Sequence, residues 1–168
     1  MGFEDFERKI KSPALKSVAG HWQQTRGSRL VPAWNDIRPS VIAGQLSMIW
    51  SYTYDAQADK FTGRLAGVGI EQKFGKSFRG TPMIDLYPPE DYQRLFERAK
   101  RVVCGPALYH GEGMVFRHLK QSGYGERIML PVGADGVHGD GLLGATDYQF
   151  VYGGFNPDQL ETETWFDL

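Results

Sequence analysis

Between Gln45 and Gly67 the spacing of large side chains changes from helical to alternating, and no other feature constrains the fold as tightly. SMIWSYTYD places Met48, Trp50, Tyr52 and Tyr54 on one face of an extended chain and Ile49, Ser51 and Thr53 on the other. AQADK supplies a turn and FTGRLAG a second strand, so residues 47–67 predict a β-hairpin. Upstream, SPALKSVAGHWQQTR predicts a helix. Ser12 can cap it, Pro13 suits its first position, and Leu15, Val18, Ala19 and Trp22 share one face. A looped connection then ends in a short helix opened by Pro39 and Ser40, with Ile42 and Leu46 as its expected buried side.

Downstream of the hairpin, the glycine-punctuated stretch from Val68 to Leu86 suits short helices and turns. The clearest helical signal is PPEDYQRLFERAKRVV, where two prolines and two acids match the first-turn preferences and the helix dipole. Tyr92, Leu95, Phe96, Ala99, Val102 and Val103 form its apolar stripe, and Gly105 ends it. ALYHGEGMVFRHL, ERIMLPVGA and LLGATDYQFVY then predict three strands, separated by KQSGYG and DGVHGDG. Strand runs on both sides of a helical middle predict an α+β domain with a mostly antiparallel, five-stranded sheet.

A chain of 168 residues suits one domain, large enough to bury a core without covalent staples. Its net charge of -1 creates no general field that would draw nucleic acid or an anionic membrane. One cysteine, Cys104, excludes an internal disulfide and a multi-cysteine zinc site; its place at a helix end suits a small boundary residue. The opening MGFEDFERKIK lacks the apolar run of a signal peptide, and no window approaches a membrane-spanning length. A cytoplasmic location is the expectation.

Several motifs mimic functional ones. GDGLLG, Gly139 to Gly144, has the G-x-G-x-x-G spacing of a dinucleotide turn, but strand-like sequence lies on both sides. A strand-loop-strand unit presents no helix N-terminus to a pyrophosphate. GVGIEQKFGKS has Ile70 where a phosphate loop needs glycine. HGE at His110 to Glu112 resembles part of a zinc-deaminase signature without the downstream cysteine pair. His110 and His118 could reach a metal or haem iron, although isolated histidines in a sheet are more often hydrogen-bonded. Between residues 8 and 38 the chain is basic, with Arg8, Lys9, Lys11, Lys16, Arg26, Arg29 and Arg38 against Asp36 alone, whereas the tail is acidic. That asymmetry describes a solvated surface, a partner surface, or a head-to-tail contact between protomers.

Taken in order, four blocks resemble the PAS domain family, in particular a single-domain bacterial PAS-like group formerly described only as a domain of unknown function. They are the helix bearing Trp22 with RGSRLVPAWNDIRP; LSMIWSYTYD leading to FTGRLAGVGIEQKFGKSFRGTPMIDLYPPED; the helix to Val103; and the three closing strands. Arg64 with AGVGI, then FGKSFRGTPMIDL, is the most family-like part. The resemblance spans about Ser12 to Phe150. It implies a five-stranded antiparallel sheet with short helices and one longer helix on one face, plus an N-terminal amphipathic helix. The boundaries it suggests are a helical extension at 1–30, the PAS-like domain at 31–152 and an acidic tail at 153–168.

The resemblance further implies a non-enzymatic sensory or signalling module that binds a small ligand, a protein partner, or both. Pocket candidates are Trp50, Tyr52, Leu65, Phe74, Met83, Ile84, Phe116, Met129 and Tyr148; dimer or partner candidates are Leu15, Val18 and Trp22. The cofactor stays unknown. A small organic ligand fits, the Asn-Cys-Arg-Phe flavin motif is missing, no helix offers a proximal histidine for haem, and no output domain follows. The module would be free-standing, with a signalling partner and a homodimer as expected associations. Two other classes stay open: a cone-shaped enzyme of the ketosteroid-isomerase kind using Asp147 or Glu112, and a ligand-free dimerising scaffold.

Overall fold

A computed structural model describes residues 2–117, 121–152 and 160–168, except for the side chains of Arg117, Gln121 and Tyr152. Two helices come first, α1 (Phe3–Lys9) and α2 (Pro13–Arg26), followed by short 3-10 turns at Trp34–Asp36 and Ala43–Met48. Strands β1 (Ile49–Asp55) and β2 (Lys60–Ala66) form the hairpin; α3 (Val68–Phe74), α4 (Met83–Leu86) and α5 (Pro89–Cys104) follow it. The chain closes with β3 (Ala107–Arg117), β4 (Gln121–Val132), β5 (Gly141–Tyr152) and β6 (Thr162–Asp167). The sheet has six strands in the order β2-β1-β5-β4-β3-β6, and every neighbouring pair is antiparallel.

Strand alternation divides the core into two layers, one on each face of the sheet. On one face, Ile128, Leu130, Val132, Leu143 and Ala145 pack against Phe6, Leu15, Val18 and Trp22 of α1 and α2. On the other, Trp50, Tyr52, Phe61, Met129 and Leu142 pack against Ile70, Met83, Leu86, Phe96 and Val102 of α3 to α5. Ser12 caps α2 by accepting from Leu15 N at 3.3 Å, with Pro13 at the first turn, as its sequence predicts. Leu15, Val18 and Trp22 are 0% exposed, and Trp22 Nε1 donates to Pro131 O at 2.8 Å. Each such side chain contributes about 1.5–3 kcal/mol by burial. The stripe expected as a dimer or partner surface is therefore consumed by the chain's own sheet, which offers β4 and β5 as a wide apolar face.

GDGLLG lies between two strands. Asp140 ends the β4–β5 connection, Gly141 opens β5, and Gly144 pairs with Trp50 of β1. A Cβ on Gly144 would stand 2.3 Å from Trp50 Cε2, so close indole packing accounts for that glycine. The near-miss phosphate loop folds as α3, with Gly75 at φ 63° turning the chain out of the helix.

Four local expectations need correction. The sheet gains a sixth strand: Thr162–Asp167, expected as tail, pairs with Ala107–Glu112 of β3 along an otherwise open edge. Its cross-strand apolar members are Trp165 against Tyr109 and Phe166 against Leu108. Leu46 is 41% exposed, because Ala43–Met48 winds as a 3-10 turn that buries Ile42 and sends Leu46 outward. Met48 belongs to that turn and packs with the α1–α2 layer, on the face opposite to Trp50 and Tyr52. The 1–30 stretch, expected as an extension, contributes α1 and α2, which close one face of the sheet. His118 lies outside the described residues, as does the 153–159 part of the tail.

Candidate functional site

The helices on the Trp50 face do not seal the sheet completely. Between the end of α3, the start of α5 and the strands β3, β4 and β6 lies a cleft of about 530 Å³. Lys73 and Phe74 enter it from α3, Leu86, Tyr87 and Pro88 from the α4–α5 junction, and Asp91, Arg94 and Leu95 from α5. Met114, Val115, Phe116 and Arg127 form the strand wall, and Leu160, Glu161 and Glu163 close it beside β6. A narrow recess of about 10 Å³ behind it shares Phe74, Tyr87, Phe116 and Arg127 with the cleft and reaches Trp50, Ile70 and Phe78. That volume is near the threshold for a single water.

Buried charge is concentrated on one side of this cleft. Arg98 of α5 reaches Glu161 Oε2 at 2.9 Å and also pairs with Glu163, while Tyr109 OH donates to Glu161 Oε1 at 2.9 Å. Arg127 Nη2 donates to Val115 O, and its Nη1 stands 3.6 Å from Glu161 Oε2. Among the described residues, Nε of Arg98 and Nε of Arg127 are buried with no hydrogen-bond partner. Burial works to raise the Glu161 carboxyl, but Arg127, Arg98 and the Tyr109 hydroxyl outweigh it and hold it below its ordinary range. Burial is the main cause that pushes the Tyr87 hydroxyl up, and it dominates the same shift at Tyr109.

Lys73 sits at the opposite wall among aromatic rings. Its Nζ lies 4.2 Å from the Phe116 ring centre, 3.9 Å from Phe150 and 5.4 Å from Tyr148. Burial, helped by the nearby Arg127 charge, lowers its pKa to about 8. Arg127 lies 5.3 Å from the same Phe116 ring, so one ring is shared by two cations.

A second polar cluster lies where α1 turns into α2. Glu126 accepts from Lys11 N at 2.8 Å and Ser12 N at 2.6 Å, and its Oε1 is 2.7 Å from His110 Nε2. An ionised carboxylate only accepts, so His110 carries its proton on Nε2. Ser12 Oγ donates to Asp147 Oδ2 at 2.6 Å, and Lys11 pairs with Glu112 at 2.5 Å. Asp147 and Glu112, the carboxylates considered for acid–base work, thus anchor the helix junction and border a shallow groove there, away from the cleft.

The pocket candidates separate into groups. Phe74 and Phe116 border the cleft and Trp50 the recess. Tyr148 meets Phe116 edge to face at 4.7 Å and donates to Gly69 O at 2.9 Å. Tyr52, Met83 and Met129 are enclosed in the core behind it. Leu65 and Ile84 are 41% and 57% exposed and border neither space. Leu65 lies opposite Ser51 on the edge strand, beside the bulge at Ser51/Tyr52; α4 is one turn that buries Met83 and Leu86, so Ile84 points out. Arg64 instead stacks on Trp34 at 4.3 Å, and Cys104 is exposed at the end of α5.

The charged members were missed. Arg127 is in phase with Met129 on an alternating strand, and Arg98 stands one turn before Val102 in the α5 stripe. A charge placed in phase with a buried apolar row is the signal that marks both. Lys73 and Glu161 have no such signal, since a short helix and a distant segment bring them to the cleft.

A model of the family described as PAS domain matches residues 10–146, which includes α2 and the strands through the first half of β5. Searches of curated proteins and of solved structures return no match. PAS domains are generally non-enzymatic sensory modules. With that match over most of its length, and an antiparallel sheet of six strands with α3 to α5 packed over one face, this chain belongs to the PAS domain family.

Proposed function

We propose that this protein is a non-enzymatic PAS sensor whose cleft between α3–α5 and the sheet takes a small organic ligand. The observation that supports the reading is the cleft of about 530 Å³, with aromatic walls and a buried arginine whose Nε has no partner among the described residues. Small-molecule sites are commonly clefts of about 300–1,000 Å³ with apolar walls and a few convergent polar groups. In this reading the module works in the cytoplasm, free-standing, and passes ligand occupancy to a signalling partner or to a second copy of itself. Since Leu15, Val18 and Trp22 are interior, such contacts use other surfaces.

A native mass spectrum and an absorption spectrum of the purified protein test the ligand reading. The expected result is an added small mass that denaturing conditions release. An unliganded mass, joined to an NMR fragment screen that shifts no resonance of Phe74, Tyr87 or Phe116, would overturn it.

A further inference from the structure

The charges around the cleft are unevenly committed. Glu161 is engaged at both oxygens, by Tyr109 at 2.9 Å and by Arg98 at 2.9 Å, and Glu163 is also held by Arg98. Asp91 pairs with Arg94 at 3.4 Å. Arg127 donates Nη2 to Val115 O, but its one carboxylate contact among the described residues is the distant Glu161, at 3.6 Å, and its buried Nε has no partner among them. Among those residues, Lys73 has no carboxylate within 4 Å and rests against aromatic faces alone. Two cations therefore converge on Phe116 at 4.2 and 5.3 Å while the acids nearby are occupied. Phe74, Leu86, Leu95 and Met114 give the rest of the space an apolar lining.

From this arrangement we propose that the cleft selects an organic anion with an apolar body, its carboxylate or sulfonate held between Lys73 and Arg127. The inference rests on the ligand reading above and narrows it to a chemical class. A buried guanidinium gains from a charge-assisted partner what a neutral ligand cannot supply. Lys73 is the adjustable half of the pair, because its long stem can swing from the aromatic faces to an incoming anion without unpacking the core.

Isothermal titration of the intact chain at neutral pH with decanoate, decanol and decylamine tests the proposal, since the three share one tail. Decanoate should bind at least about tenfold tighter than decanol, the equivalent of one charge-assisted hydrogen bond. Lys73→Met should remove most of that preference, weakening decanoate far more than decanol. Arg127→Gln should do the same, and Lys73→Met, at a half-buried surface position, keeps the test available if the arginine variant unfolds. Equal affinity for decanoate and decanol would overturn the anion inference and leave the ligand reading standing. Tightest binding of decylamine would assign the cleft to cations through Glu161 and Glu163, which also overturns it. Binding of none of the three would count against both readings.

Discussion

Arg98 and Glu161 form an ion pair at 2.9 Å whose side chains are only 2% and 5% exposed, joining α5 to the segment that leads into β6. Removing one partner of such a pair leaves an uncompensated buried charge, which costs far more than the intact pair contributes. Arg98→Met should therefore destabilise the protein by about 3–5 kcal/mol in urea denaturation. Adding Glu161→Gln and Glu163→Gln to that variant should recover part of the loss. A change below about 0.5 kcal/mol would mean that the pair is solvated in solution.

Acid sensitivity should depend in part on Glu126. Burial favours its neutral form, yet the bonds from His110, Lys11 N and Ser12 N prevail and lower its pKa below 4.5. A depressed carboxylate contributes stability above its unfolded pKa and loses it as pH falls through the folded one. Glu126→Gln should thus flatten the stability profile below about pH 4.5, and cost about 1–3 kcal/mol at neutral pH through lost bonds to the α1–α2 junction. Urea midpoints measured across that pH range read both effects; an unchanged acid slope would count against the assignment.

Lys73 acts in the opposite direction. Its pKa of about 8 lies below the ordinary 10.5, so the folded state carries a penalty for the charged amine below pH 8. That penalty is relieved as pH rises from about 8 to 10.5. The groups facing it are Arg127 from β4 and the rings of Phe116, Tyr148 and Phe150 from β3 and β5. The stability of the unliganded protein relative to Lys73→Met should rise across this window. A difference independent of pH would show that the amine stays fully hydrated.

Gly144→Ala should disturb the β1–β5 ladder. Its methyl would fall 2.3 Å from the Trp50 indole, and a buried Thr146 hydroxyl already holds that ring at 2.9 Å. Overpacking of this kind costs about 1–3 kcal/mol, and a shifted indole emission should accompany it. Trp50→Leu in the same chain should restore part of the stability by making room.

Trp22→Ala distinguishes interior from interface. With the indole 0% exposed and bonded to Pro131 O, the substitution should cost about 3–5 kcal/mol with no change in oligomeric state. Loss of a dimer with the thermal midpoint retained would reverse that assignment.

Local pattern was sufficient where local forces dominate. The cap at Ser12, the prolines of α5, the hairpin at 49–66 and the strand-loop-strand around GDGLLG are each set by residues within a few positions of one another. It was insufficient for α1, where Phe3, Phe6 and Ile10 form a stripe too short to stand out, and for β6, whose TETWFD alternates only once the β3 edge is present. The cleft was half legible. Phe74 and Phe116 follow from apolar placement, but Lys73, Arg127 and Glu161 meet through contacts between segments far apart in the chain. Charged residues in a cleft do not announce themselves by hydrophobic period.

Glu126 and Arg127 are consecutive on β4, one turned to the α1–α2 junction and the other to the cleft. A strand that carries a buried carboxylate and a buried guanidinium back to back cannot slide by one residue, because each ion would then enter the chamber built for its opposite. Insertion of a single residue between Gln121 and Glu126 should therefore abolish folding, while the same insertion between Ala134 and Val137, in the exposed connection before β5, should pass with little effect. The two chambers thus lock each other's registration through one shared wall.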